Sequence, residues 1–322
     1  MKLAEFDPEK FARGAKHALW LELGEEAGGV NLPVLLVRGS EPGKCLVVTA
    51  GVHGDEYEGV RTIFDVYHQL DPGKMRGDFL SVPVSNPPAF WNGTRTSPLD
   101  GGNLARSFPG GLGSGVTSAI AYSMGPAIIA RADFYLDLHS GGIRWLYPTM
   151  IGYGAGDERS LEGARAFGAK VMWGHPATAA GRTITFAEEH GIPWLYSEAH
   201  GAGRIDPEDL AIFKRGVFNL LYLLQILPGV IETSPVEYHL FGGGDLDAGL
   251  TASQPGFVVH DAVLFQRVRA GEVLGRLCNL LGETLEEYRS LTDGVLAVVR
   301  GFPIVAPGES VFVVTDLLPQ EV

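Results

Sequence analysis

Short apolar runs bounded by glycine and proline alternate with stretches of helical spacing through the first two thirds of the chain. The segments LPVLLVRG (32–39) and KCLVVTAG (44–51) are apolar almost throughout, as strands covered on both faces are. Between residues 56 and 70, Val60, Ile63, Phe64, Tyr67 and Leu70 recur at three- and four-residue intervals and predict a helix. GDFLSVPVSNPPAF predicts a further strand that runs into a proline-rich turn. Residues 91–115 are rich in glycine and show no period, and a loop that long inside a compact domain is usually functional. A helix is predicted over 117–132, a strand over 133–139, a helix over 162–171 and a strand over 192–201. Asp206-Pro207-Glu208 carries the signals of a helix start, with an N-cap acid, a first-turn proline and a second acid at the positive helix end. Strands alternating with helices predict an α/β fold with a mixed, mostly parallel sheet covered by helices.

From residue 235 the helical period fades and short β-rich runs alternate with glycine turns. There is an internal echo, GFVVHDAVLFQRVRAGEVLG against GVLAVVRGFPIVAPGESVFV. Each half begins with glycine and an apolar run and reaches Gly-Glu further on, which predicts pseudo-symmetric hairpins. The chain therefore divides into a larger α/β domain over 1–234 and a smaller all-β domain over 235–322, with GGGDLDAGL (242–250) as a hinge.

Size and charge narrow the function. The 322 residues are 45% hydrophobic, ample for a large core. The net charge of -13 repels phosphate backbones and disfavours nucleic acid as a partner. Cys45 and Cys278 both lie in apolar stretches and read as buried thiols. The apolar run 216–230 carries Asn219 and Gln225 and is short for a membrane span, so a buried helix is expected there. The start MKLAEFDPEK has no apolar signal-like region, and a cytoplasmic location without membrane partners is expected.

The chemistry concentrates in AGVHGDEYEG (50–59), directly after a predicted strand. A His-x-x-Glu spacing alone is weak, because a loop histidine and a solvated acid give it too. Here Gly51 and Gly54 allow a sharp turn, and His139 falls at the end of another predicted strand. His53, Glu56 and His139 form a His₂Glu set that leaves zinc a fourth position for water. Asp137, two residues before His139, shares its strand face and either orients that histidine or pairs elsewhere. Asp55 is expected to face away as a turn residue. Glu198 ends an otherwise apolar strand, where a carboxylate is costly unless it meets a site, and it is the candidate proton shuttle. Arg95 and Arg106, in the glycine-rich loop, suit a carboxylate or an oxyanion, or else simply tie the loop down.

The motifs GVHGDEYEG, NPPAF, GTRTSPLDGGNLARSFPG, LDLHSGG and SEAHG, in this order, resemble those of the succinylglutamate desuccinylase/aspartoacylase family, which shares its fold with zinc carboxypeptidases. The resemblance covers residues 30–230. It implies one Zn2+ per chain held by His53, Glu56 and His139, with Glu198 as general base and acid. It implies that Arg95 polarises the scissile carbonyl and that Arg106, with Asn103, binds the substrate. The LHSGG ending looks most like the bacterial branch that includes deacetylases of N-acetyl-diaminobutyrate. One departure stands out: the family usually reads Asn-Leu-Asn-Arg, whereas this chain has Ala105 before Arg106. The loss of that amide implies altered carboxylate recognition, with a bulkier substrate or one lacking the carboxylate there. The C-terminal part resembles the family's β-rich cap, related in shape to lipoyl domains, but VVRGFPIV has no lysine to carry a cofactor. The expectation is a zinc amidohydrolase acting on a small N-acyl substrate, as a homo-oligomer. A metallocarboxypeptidase, an esterase or lactonase, and a zinc-binding protein without hydrolase activity are the rivals.

Overall fold

A computed structural model of the chain describes residues 1–243, 246 and 249–318. Of the expected hinge 242–250, residues 244, 245, 247 and 248 lie outside the described residues. Strands β1 (Ala15–Glu22), β2 (Asn31–Arg38), β3 (Glu41–Ala50), β4 (Arg76–Val82), β5 (Phe134–Ser140), β6 (Trp145–Leu146), β7 (Met150–Gly154), β8 (Val171–His175) and β9 (Trp194–Ala199) are followed by nine shorter or C-terminal ones. Those are β10 (Tyr238–Phe241), β11 (Leu250–Thr251), β12 (Gly256–His260), β13 (Arg267–Val268), β14 (Val273–Cys278), β15 (Thr284–Arg289), β16 (Gly294–Arg300), β17 (Ile304–Val305) and β18 (Ser310–Leu317). The helices are α1 (Glu58–Gln69), α2 (Pro87–Asn92), α3 (Val116–Ala127), α4 (Glu158–Phe167), α5 (Thr183–Glu189) and α6 (Pro207–Leu223).

The main sheet runs β1-β2-β4-β3-β5-β9-β7-β8-β10-β18-β16-β13. Its centre, β4-β3-β5-β9, is parallel, and β7 and β10 join with mixed sense. Alternate strand residues feed two cores, as the pleat requires. Leu46, Val48, Leu136 and Leu138 pack with Ile63, Val66, Phe167, Phe213 and Leu220 under α1, α4 and α6. Val47 and Tyr135 face Ile120, Met124, Ile184 and Phe186 under α3 and α5. The architecture is therefore a mixed sheet covered by helices on both faces, with a second, antiparallel sheet β15-β14-β12-β17 beyond it. In that second part the internal echo is structural: β13 pairs with β16, and β17 pairs reciprocally with β12.

Four helices differ from expectation in their bounds, and the one expected through the apolar run 216–230 stops at Leu223. The first helix begins at Glu58 rather than 56, because Glu56 is turned into the site. The helix expected over 117–132 ends at Ala127, one residue after Pro126, which has no N–H to continue the ladder. The helix expected over 162–171 occupies Glu158–Phe167, capped by the Asp157 carboxylate, which accepts from the Arg159 N–H at 3.1 Å, and closed by left-handed Gly168. No helix among the described residues is long and apolar enough to cross a membrane.

Candidate active site

Three parallel neighbours, β3, β5 and β9, bring their carboxyl ends to one place, where sites form in such sheets. The register sets His139 directly beside Glu198. The turn after β3 is packed too tightly to shift. Ser85 N–H donates to the Ala50 carbonyl and Asn86 N–H to the Gly51 carbonyl, both at 2.9 Å. Gly51 has φ +59°, and a Cβ on Gly54 would lie 2.0 Å from the carbonyl carbon of Ala89 in α2. Both glycines are therefore needed for His53 and Glu56 to reach the strand ends.

The structure brings His53, Glu56 and His139 together, with one ligand atom from each within 4.8 Å of the others. His53 Nδ1 lies 2.7 Å from Glu56 Oε1, and His139 Nδ1 lies 2.9 Å from Glu56 Oε2. The remote nitrogens have their own partners: His139 Nε2 is 3.0 Å from Asp137 Oδ2, and His53 Nε2 is 3.2 Å from Asn103 Oδ1. Asp137 is buried and its carboxylate also accepts from the Thr49 and Thr183 hydroxyls. With its outer N–H given to Asp137, His139 turns a lone pair toward the Glu56 carboxylate, a contact that calls for a proton or a shared cation between them. Two imidazoles and a carboxylate so arranged fit zinc, the ion whose catalytic sites use this set.

The electrostatics agree. Burial alone would raise the Glu56 carboxyl, yet the two histidines hold it below the usual carboxylate range. Burial and the Arg95 charge push His53 down to about 4, so its imidazole is neutral and can ligate. Burial works against a charge on His139, but Asp137 and Glu56 more than reverse that and favour positive charge there. Glu198 is pushed up to about 8, by burial first and by the Glu56 charge second. Its Oε2 is buried with no hydrogen-bond partner and lines the same pocket as His53 and His139.

Arg95 also reaches this centre. Its Nη1 is 3.2 Å from Glu56 Oε1, and its guanidinium sits 4.8 Å from the centre of the Trp145 ring. Arg106 and Ala105 line the pocket, and Arg106 Nη1 donates to the Ala105 carbonyl at 3.1 Å. Asp55 lies outside the ligand cluster and the pocket lining, in keeping with its expected place in the turn. It is buried, and its carboxylate accepts from the Ile143 N–H at 3.2 Å, bracing the turn after β5. Tyr147, Arg182, Thr183, Ile184, Tyr196 and Leu246 also line the pocket, and the sequence reading gave none of them a role there. Nothing in the segment GRT (181–183) marks it in the sequence; in the fold Gly181 lies so close to Arg106 that a Cβ would meet its carbonyl oxygen at 2.6 Å.

Comparisons with known proteins place the fold and the family. A family model described as "Succinylglutamate desuccinylase/Aspartoacylase catalytic domain" matches residues 42–224. The chain is 32% identical over 299 residues to the N-alpha-acetyl-L-2,4-diaminobutyric acid deacetylase of Halomonas elongata, covering 90% of this chain and 87% of that one. Among solved structures, a succinylglutamate desuccinylase from a Silicibacter species superposes with a TM-score of 0.83 at 27% identity, over 94% of this chain and 95% of that one. An ectoine utilization protein from Ruegeria pomeroyi, solved with product bound, gives 0.81 at 28% identity over 89% of each.

Proposed function

The chain belongs to the succinylglutamate desuccinylase/aspartoacylase family, and on that premise we propose that it is a zinc-dependent deacylase of small N-acyl amino acids. His53, Glu56 and His139 would hold the ion. The chemistry that zinc supplies in a three-ligand site is Lewis acidity toward water and carbonyl oxygen.

The chain's own groups carry the rest. Glu198 takes the proton of the attacking water and returns it to the leaving amine. Burial and the Glu56 charge raise the proton affinity of this carboxyl, which suits a group that must accept a proton and then return it. Arg95 lies beside the metal ligands and donates to the oxygen of the scissile carbonyl as negative charge develops on it. Arg106 and Arg182 enter the same pocket and offer guanidinium groups to an anionic end of the substrate. Tyr147 and Leu246 are buried and also wall this pocket. Among N-acyl amino acids, an N-acetylated diamino acid is the first candidate, given the relative in Halomonas elongata.

The observation that carries this reading is the Glu198 carboxyl, whose Oε2 is buried without a hydrogen-bond partner, in the pocket of the His-Glu-His cluster. The test is amine release from a panel of N-acyl amino acids, neutral amides, esters and short peptides by zinc-loaded protein. Release from N-acyl amino acids is expected. Turnover only of peptides, or of nothing while zinc is bound, would overturn the proposal.

A further inference from the structure

The two histidines of the cluster are backed differently. His139 gives its outer nitrogen to a carboxylate, Asp137, and His53 gives its own to an amide, Asn103. Asn103 opens the short turn Leu104–Arg106, and its Oδ1 accepts from the Ala105 N–H at 3.0 Å. A backbone N–H can only donate, so the atom it faces must be the amide oxygen. The same oxygen lies 3.2 Å from His53 Nε2, and an oxygen that can only accept requires the proton to be on Nε2. Arg95 Nη1, which can only donate, lies 3.3 Å from Nδ1, so Nδ1 is the unprotonated nitrogen, and it also faces Glu56. The turn itself is pinned: Ser107 Oγ donates to the Asn103 carbonyl at 2.8 Å, and Phe108 N–H donates to Gly181 at 2.9 Å.

We infer that Asn103 is a positioning residue that fixes His53 as the tautomer able to ligate, rather than a group that binds substrate. The inference rests on the metal-site reading above. It also accounts for the chemistry of the side chain. Glu56 and Asp137 already place two negative charges at the centre, enough to balance a divalent ion. An amide orients the second imidazole without adding a third, so the site keeps its pull on water protons.

The test compares Asn103→Ser, Asn103→Asp and Asn103→Ala with the parent. The readouts are zinc affinity by chelator competition, the visible spectrum of the Co2+-substituted protein, and kcat and KM separately. Serine caps a turn as well as asparagine does but is too short to reach His53, so it separates folding of the turn from orientation of the ring. The serine and alanine variants should lose about 10- to 100-fold in zinc affinity and show an altered Co2+ spectrum. Aspartate, with an acceptor in the same place, should restore the affinity. Parent-like zinc affinity in Asn103→Ser, with the change confined to KM, would overturn the inference in favour of a substrate contact. Failure of aspartate to rescue would overturn it as well. A parent chain that binds no zinc would instead remove the functional reading on which the inference stands.

Discussion

Glu198 ends a strand of Trp194, Leu195 and Tyr196, and the same burial that makes an acid there conspicuous in the sequence gives it a raised proton affinity in the fold. Glu198→Gln should keep zinc and lower kcat by about 10²- to 10⁴-fold, the usual share of a general acid–base group, as read by metal content and turnover together. An active, zinc-loaded variant would remove Glu198 from the mechanism. Glu58, just beyond the cluster, makes a different prediction. Burial raises its carboxyl from 4.5 to about 7, and its Oε1 has no partner. In the fold it keeps its proton up to pH 7, whereas the unfolded chain gives it up near 4.5, so its contribution falls as pH rises between these values and stays lost above them. The loss is on the order of 3 kcal/mol. Metal-free Glu58→Gln should therefore melt above the metal-free parent at pH 8 and no higher than it at pH 4. At this scale His53 and Glu56 were legible because they are near neighbours between two glycines. Arg182 was not, because nothing in its own segment marks it and only the fold sets it beside Arg106.

Elements were legible where burial is two-sided or caps are explicit. β2, β3, β5 and β9 read as apolar runs, and α6 announces itself through Asp206, whose carboxylate accepts from the Glu208 N–H at 2.8 Å. β1 escaped notice because AKHALWLE is a sheet edge with most of its positions partly or fully exposed. β7 and β8 are broken by Gly152 and Gly174, which weaken any strand signal. α5 begins with Thr183, Ile184 and Thr185, β-branched residues that favour extended chain until tertiary contacts decide otherwise. The element that sets the site is the turn between β3 and α1, held against α2 by the closeness of Gly54 to Ala89. Gly54→Ala forces that contact apart. It should cost about 1–3 kcal/mol in stability and weaken zinc binding as well. Gly156→Ala, with open space around the added methyl group, should stay within about 0.5 kcal/mol of the parent and bind zinc unchanged. Equal behaviour of the two in thermal melts and zinc titration would mean that the turn is not what positions the ligands.

Across the whole molecule, strands from both sides of residue 235 share one sheet: β10 pairs with β8 on one edge and with β18 on the other, and β16 pairs with β6. One apolar cluster joins Trp145, Met150 and Trp173 to Leu240, Val295, Val298 and Val313. The connection reaches the site through Trp145, whose ring carries Arg95 at 4.8 Å and Arg300 at 5.8 Å. Arg300 is fully buried, donates to the Ile304 carbonyl at 2.7 Å and pairs with Glu309 at 2.8 Å. Arg144 approaches Glu309 from the other part of the chain at 2.6 Å. A sheet, a core and an ion-pair chain that all cross the same point cannot melt on one side without exposing apolar surface on the other. The pairing of alternating runs into this continuous sheet was invisible in the sequence, where the β-rich texture after 235 reads as a unit of its own. Arg300→Met leaves Glu309 with one cation fewer and several carbonyls without donors, and should cost about 3–5 kcal/mol. If the two parts are one cooperative structure, calorimetry should show a single transition moved to lower temperature, with zinc binding lost in the same transition. Two transitions, the upper one at the parent's temperature with zinc still bound, would show instead that the C-terminal strands fold and fail independently of the site.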